Sequence, residues 1–344
     1  MSWAELALYE SHDLIRERFR LLHARDLAAD KISEISAFFS QGRQYFTAAS
    51  SAGSLVAPLL YYYGVNALIR GAVLFLDPHA RQSTLKPAHG LSIHQWQATL
   101  AKGLAGLGAL ELTVERTGTF AELMRVVATR LRVPAFGDDH STEHLPVPST
   151  PEAPTGTRLA LKEILSRVPG LQDLCEQVFS EPANVLPVAV TTFIASRRTR
   201  VEVYGSARFP LNESELRRAL PQLANAKSEP LSGSGDSQTA IAFWIAPNSN
   251  GTEIGELPPL RHSHGVASLV LPFTSGLDLP PLATLYAFGF SVGMLSRYFP
   301  QEWRALQSGS RGDRVHPVVR EAIEILRNRF PAEVASVLSV LTAA

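Results

Sequence analysis

The chain has 344 residues, 45% of them hydrophobic and 19% charged, and its lysines plus arginines equal its aspartates plus glutamates at 32 each. That is enough apolar material for one large domain or two ordinary ones and excludes global disorder, while the neutral balance leaves any nucleic-acid contact to a local patch of cations. The single cysteine, Cys175, excludes a disulfide framework and a multi-cysteine zinc site, and fits a reducing cytosol.

The first residues, MSWAELALYESHD, are acidic and amphipathic, without the charged start and apolar run of a signal peptide. No uncharged apolar run reaches 18 residues; the nearest, 277–295, contains Asp278 and two prolines. A cytoplasmic protein with no membrane partner is therefore expected. Leu6, Tyr9, Leu14, Ile15, Phe19 and Leu22 recur at helical steps, which predicts one or two surface helices over 3–25. A second helix follows over 30–52.

The stretch 58–92 holds the chain's unusual residues. Pro58 opens an apolar helix that carries Tyr61, Tyr62, Tyr63, Asn66 and Arg70 and breaks at Asp77-Pro78. A helix apolar nearly all round is a buried one. Asn66 and Arg70 are four residues apart on one side, and inside a core each requires a partner. A loop then leads to Lys86, His89-Gly90 and Ser92. These polar residues have two readings: a network that fixes helix register, or the wall of a ligand pocket.

Beyond this stretch the glycine-rich segment 94–110 is a weak helix, 110–114 alternates as a strand, and a helix covers FAELMRVVATRLR at 120–132. Residues 133–157 hold many of the prolines and read as a linker. Short helices are predicted at 159–168 and 171–179, split by Pro169-Gly170. Period-two alternation predicts strands at 188–196, 199–208, 239–246 and 266–273, with a helix over 212–223 capped by Asn212. Helices close the chain at 281–298, 301–307, 317–329 and 332–341, and no internal repeat is present.

Glycine-rich phosphate loops and a nucleophile elbow are absent from the sequence. His262 and His264 share one side of a strand, with Glu253 and Glu256 nearby, but two histidines without a third ligand make a weak metal signal. Asp138, Asp139, His140 and His144 cluster in the proline-rich loop and are expected to be solvated. Cys175, among Leu171, Leu174 and Val178, reads as a small core residue. Some RNA-cleaving helical domains use an arginine and a histidine separated by four to six residues. The pairs Arg16–His23, Arg18–His23 and Arg311–His316 have that spacing, no more often than chance supplies.

QGRQYF at 41–46, PLLYYYGVNALIRG at 58–71, HGLS at 89–92, TGTFAEL at 117–123, MLSRYFPQEWRAL at 294–306 and a late Phe330-Pro331 together resemble the YaaC-like family of bacterial proteins. The helical core is also similar in architecture to HEPN-type domains. That similarity implies RNA binding or cleavage and a role in defence or toxin systems.

The expected fold is α+β and predominantly α-helical: a helical bundle from the N- and C-terminal parts with a small antiparallel β-rich insert. The expected divisions are a helical region over 1–132, the linker 133–157, a mixed module over 158–275, and C-terminal helices over 276–344 that pack on the first region. The expected ligand-binding residues are Arg43, Tyr62, Asn66, Arg70, Lys86, His89 and Arg297, with no metal and no cofactor. RNA or a nucleotide is the expected ligand, and a protein partner or a second copy the expected associate. Two rival readings stand beside nucleic-acid binding, a HEPN-type metal-independent ribonuclease and a purely structural interaction module. Whether the chain is an enzyme is left open.

Overall fold

The structure, a computed structural model, describes residues 2–127, 132–139, 141–146, 153–206, 208–231, 240–247, 256–263, 266–309 and 312–339. It is α+β with helix predominating. The N-terminal helices are α1 (Ser2–Leu6), α2 (His12–His23), α3 (Ala29–Ser51) and α4 (Ala57–Leu76). After them come β1 (Leu91–His94), α5 (Trp96–Leu100), β2 (Glu111–Val114) and α6 (Thr119–Val127). The middle of the chain holds β3 (Arg132–Gly137), β4 (Thr142–Pro146), β5 (Arg158–Ala160), α7 (Leu161–Leu165), α8 (Gln172–Phe179), β6 (Val185–Phe193), β7 (Arg198–Tyr204) and α9 (Glu213–Ala219). It continues with β8 (Lys227–Leu231), β9 (Ala240–Ile245), β10 (Leu260–Ser263) and β11 (Val266–Val270), and ends in α10 (Pro281–Tyr298), α11 (Pro300–Gln307) and α12 (His316–Ser339).

α3 and α4 form a tight antiparallel hairpin because glycines stand where they meet. A Cβ on Gly42 would lie 2.6 Å from the Leu68 side chain, and one on Gly64 would lie 2.5 Å from the Phe46 ring. α10 crosses the other side of α4 at Gly293, where a Cβ would come within 2.8 Å of Tyr62. α12 closes the bundle, with Phe330 stacked on Phe46 at 6.4 Å. One hydrophobic core joins these helices to α6, α7, α8 and a three-stranded sheet of order β1-β2-β5.

A second core lies between α9 and an eight-stranded sheet of order β10-β11-β6-β7-β9-β8, with β3 and β4 added along β6. All its pairings are antiparallel except the short parallel join of β3 to β6, Phe136↔Thr191 and Gly137↔Thr192. Asn212 caps α9 as expected, its Oδ1 accepting the Glu215 N–H at 3.2 Å. The clamp between the two bodies is Arg167. It is 5% exposed, donates to the carbonyls of Leu271 (2.8 Å) and Glu163 (3.0 Å), and lies over the Phe273 ring.

The structure departs from the sequence reading in several places. The β3–β4 hairpin occupies part of the stretch read as a linker. Residues 158–160 form a strand rather than the start of a helix, and α7 and α8 belong to the helical core instead of the sheet. β8 adds an edge strand between α9 and β9. α12 runs through Pro331 without a break, because Leu326, Phe330 and Val334, all 0% exposed, hold it on both sides of the proline. By length and composition α4 could cross a membrane, even with Arg70, but 72% of its apolar 18-residue window is buried inside the protein.

Candidate functional site

Fifteen of the 20 residues of α4 are buried. The rest, Leu59, Leu60, Tyr63, Asn66 and Arg70, fall at three- and four-residue steps, so this central helix meets the outside along one stripe. α3 supplies one wall of a groove over that stripe. Tyr45 lies 5.6 Å from the Tyr63 ring, and Phe38 lies under the Arg70 guanidinium at 5.4 Å. The opposite wall is the loop through Lys86–Gly90 together with the end of α10. Arg70 donates to the Lys86 carbonyl at 3.3 Å. Arg297, exposed at the last turn of α10, donates to the Tyr63 hydroxyl at 3.4 Å. Three cations and two half-exposed tyrosine rings thus share one strip.

Behind the strip lies a polar layer in which Tyr62 and Tyr286 are sealed from solvent while Asn66 and His89 are half-buried. The Tyr62 hydroxyl hydrogen-bonds His89 Nδ1, and the Tyr286 hydroxyl lies 2.9 Å from the His89 carbonyl and 3.2 Å from Asn66 Oδ1. Both tyrosines are 0% exposed, and burial pushes their hydroxyls to higher pKa, so both remain protonated. His89 is half-buried. Desolvation first, and the Arg297 charge second, push its pKa below the usual histidine value, so the ring is neutral at neutral pH.

The loop that carries His89 is locked to the start of α6. Thr119 N–H donates to the Ala88 carbonyl and Phe120 N–H to the His89 carbonyl, each at 3.0 Å, and Glu115 N–H donates to the Gly90 carbonyl at 3.0 Å. Gly90 and Gly118 both have positive φ, 78° and 118°, and meet backbone to backbone. A Cβ on Gly118 would lie 2.5 Å from the Gly90 nitrogen. HGLS and TGTF, 25 residues or more apart in sequence, are therefore two halves of one turn-on-turn contact.

The seven expected ligand residues divide into three groups. Arg70, Lys86 and Arg297 border the groove, and Asn66 lies on its floor. Tyr62 and His89 form the layer behind. Arg43 is taken out of the group: two residues from Tyr45 on α3, it faces away and pairs with Glu10 at 2.5 Å. Sequence reasoning missed Tyr45 and Tyr286. Tyr286 carries a hydroxyl into an apolar helix, a signal of the same kind that singled out Asn66.

The other expected chemistry finds different employment. His23 Nε2 bonds the Phe75 carbonyl at 2.9 Å, Arg16 pairs with Asp13, and Arg18 lies over Tyr9, so the spaced arginine–histidine pairs of α2 are packing and capping contacts. Arg261, next to His262 in sequence, is 2% exposed and paired with Asp278, whose carboxyl burial shifts to higher pKa. His264, Glu253, His140 and Arg311 lie outside the described residues. Among the described residues no three histidine, cysteine or carboxylate side chains group as a metal site. Cys175 is a buried core residue, and desolvation pushes its thiol up to about 12.

Residues 7–338, nearly the whole chain, match the model of the YaaC-like proteins. The chain belongs to the YaaC-like family. No curated protein and no solved structure matches it. In this YaaC-like chain the segments 58–71, 89–92, 117–123 and 294–306, which carried the resemblance, all border the groove or the layer behind it, while Phe46 and Phe330 of the remaining two pack against each other beneath α4.

Proposed function

We propose that this YaaC-like chain binds single-stranded nucleic acid, RNA in the first instance, in the groove along α4. The observation that carries the reading is the strip itself: Arg70, Lys86 and Arg297 stand beside Tyr45 and Tyr63 on the one accessible edge of a helix otherwise sealed in the core. Tyrosine rings stack on bases with little regard for sequence, each worth about 1–3 kcal/mol, and the cations meet phosphates. A neutral net charge does not oppose this, because the cations are local.

The test is fluorescence anisotropy of labelled eight-nucleotide RNAs at about 50 mM salt, where phosphate contacts are strongest. Tyr63→Ala and Lys86→Ala, at half-exposed and exposed positions, weaken binding while leaving the melting temperature in place. Absence of binding by the wild-type protein at this salt defeats the reading. A ribonuclease reading has one observation of its own, the neutral His89 beside Arg297. With Nδ1–H donating to the Tyr62 oxygen, Nε2 keeps a lone pair able to take the proton of a ribose 2′-hydroxyl. Intact RNA after incubation in EDTA removes that reading and leaves the binding proposal standing.

A further inference from the structure

Arg43, which the groove does not use, lines a separate concavity of about 390 Å³, a volume in the range of small-molecule sites. α3 supplies Arg43, Thr47 and Ser50 to it, α12 supplies Arg327 and Asn328, and α1 supplies Trp3. Its floor is Phe46, which meets the Trp3 ring edge-on at 5.3 Å and stacks on Phe330 at 6.4 Å. QGRQYF and the late Phe330-Pro331, the two segments of the resemblance that lie outside the groove, therefore meet here.

The charge of this lining is of one sign. Arg43 and Arg327 reach it from two helices, and among the described residues no aspartate or glutamate lines it. Arg43 gives Nη2 to Glu10 at 2.5 Å, which leaves Nη1 and Nε. Arg327 Nη1 lies 3.5 Å from Glu324 on the same helix, an exposed pair of the kind that contributes little. The hydroxyls of Thr47 and Ser50 donate back to the Arg43 and Phe46 carbonyls of their own helix, each at 2.9 Å. The strongest donors left for a ligand are thus the two guanidinium groups, with the exposed Asn328 amide beside them. A cleft lined by charge of one sign concentrates the opposite ion.

We propose that this concavity binds the phosphate group of a small phosphate monoester, or free phosphate as the bare form of the same group. A phosphate dianion brings two charges to two guanidinium groups and enough oxygens to serve both planar forks and an amide. A carboxylate brings one charge and two oxygens. The organic part of a monoester lies against the half-buried Trp3. The site shares no residue with the α4 groove, so it does not depend on the nucleic-acid reading.

Isothermal titration calorimetry of the full chain tests it with phenyl phosphate, inorganic phosphate and benzoate, at a pH of about 7.5 where the phosphates carry close to two charges. The wild type binds a single equivalent of phenyl phosphate, about tenfold or more tighter than benzoate. Arg43→Gln and Arg327→Gln each weaken it about tenfold, the scale of one hydrogen bond between charged groups. Arg320→Gln, exposed on α12 but off the lining, leaves it unchanged. Inorganic phosphate bound as tightly as phenyl phosphate keeps the site and makes the free ion its ligand. Absence of saturable binding by either phosphate overturns the site. So does benzoate bound as tightly as phenyl phosphate, or phosphate binding that survives both arginine substitutions. Circular dichroism checks each variant. If Arg43→Gln, which also releases Glu10, does not fold, Arg327→Gln at an exposed position decides alone.

Discussion

Gly118→Ala isolates the contact that holds His89 in place. The new methyl would sit 2.5 Å from the Gly90 nitrogen and 2.7 Å from the Ala88 carbonyl oxygen, and both are backbone atoms that cannot swing aside. Gly118 also has φ of 118°, where an L side chain is strained. Positive φ costs about 1–2 kcal/mol and overpacking about 1–3 kcal/mol, so a loss of about 2–5 kcal/mol is expected. Against a usual domain stability of about 5–15 kcal/mol this is severe. Two controls separate the causes. At Gly103, φ is 87° but no atom lies within 4 Å, so Gly103→Ala carries only the backbone cost of about 1–2 kcal/mol. Gly53 has neither crowding nor positive φ, and Gly53→Ala is close to neutral or stabilising by up to about 1 kcal/mol. Urea denaturation ranks the three, and RNA titration of the folded fraction follows the displaced loop. A Gly118→Ala protein no less stable than Gly103→Ala would refute the turn-on-turn lock.

Other perturbations test separate parts of the same structure. Arg70→Ala and Lys86→Ala each lower the slope of log affinity against log salt by about 1 if each meets one phosphate; an unchanged slope shows that they do not. The depressed pKa of His89 means that the unfolded chain holds the extra proton first. Its contribution to stability is therefore complete above the unfolded histidine value of about 6.5 and is lost as pH falls through the lower folded value. Arg297→Gln raises the His89 pKa by removing the secondary cause, and NMR titration of the ring that shows no upward movement contradicts the assignment. Asp278→Ala leaves Arg261 buried without its counter-charge and destabilises by about 3–5 kcal/mol, with a smaller loss for Arg261→Met; calorimetry showing the reverse order would mean the pair is not desolvated.

Local signals carried much of the architecture and little of the site. α4 and α10 were legible because each has a proline in its first turn and stays apolar for about five turns. α9 was legible from Asn212 and its following glutamates. Two of the missed strands have one cause: β4 and β8 contain Pro146 and Pro230, which argue against a strand in sequence yet are tolerated where one edge is unpaired. Pro331 misled in the same way, because packing on both sides of a helix outweighs one missing hydrogen bond. The stripe Tyr63–Asn66–Arg70 could be read from a 3.6-residue period, and so could the departure of Arg43. Tyr45, Tyr286 and Gly118 could not be placed, since each acquires its role from residues 18 or more positions away.

The polar residues of α4 were open to two readings, architecture or ligand, and the fold sets them in two layers that can be perturbed separately. Tyr62, Tyr286, Gly90 and Gly118 are buried, the two tyrosine hydroxyls meeting His89 and the two glycines meeting backbone to backbone, so each one's loss is felt in folding. Lys86 and Arg297 are exposed outward of them, and Arg297 reaches the Tyr63 hydroxyl at 3.4 Å, while the half-buried Tyr63 ring packs on Tyr62 and Tyr45. Exposed side chains of that kind add little to stability. Lys86 and Arg297, two exposed cations, are therefore tested apart from Arg70, which packs over Phe38. If the strip were only architecture, removing Lys86 or Tyr63 would lower melting temperature and binding together; if it is a binding surface, binding falls alone, whereas Gly118→Ala lowers both.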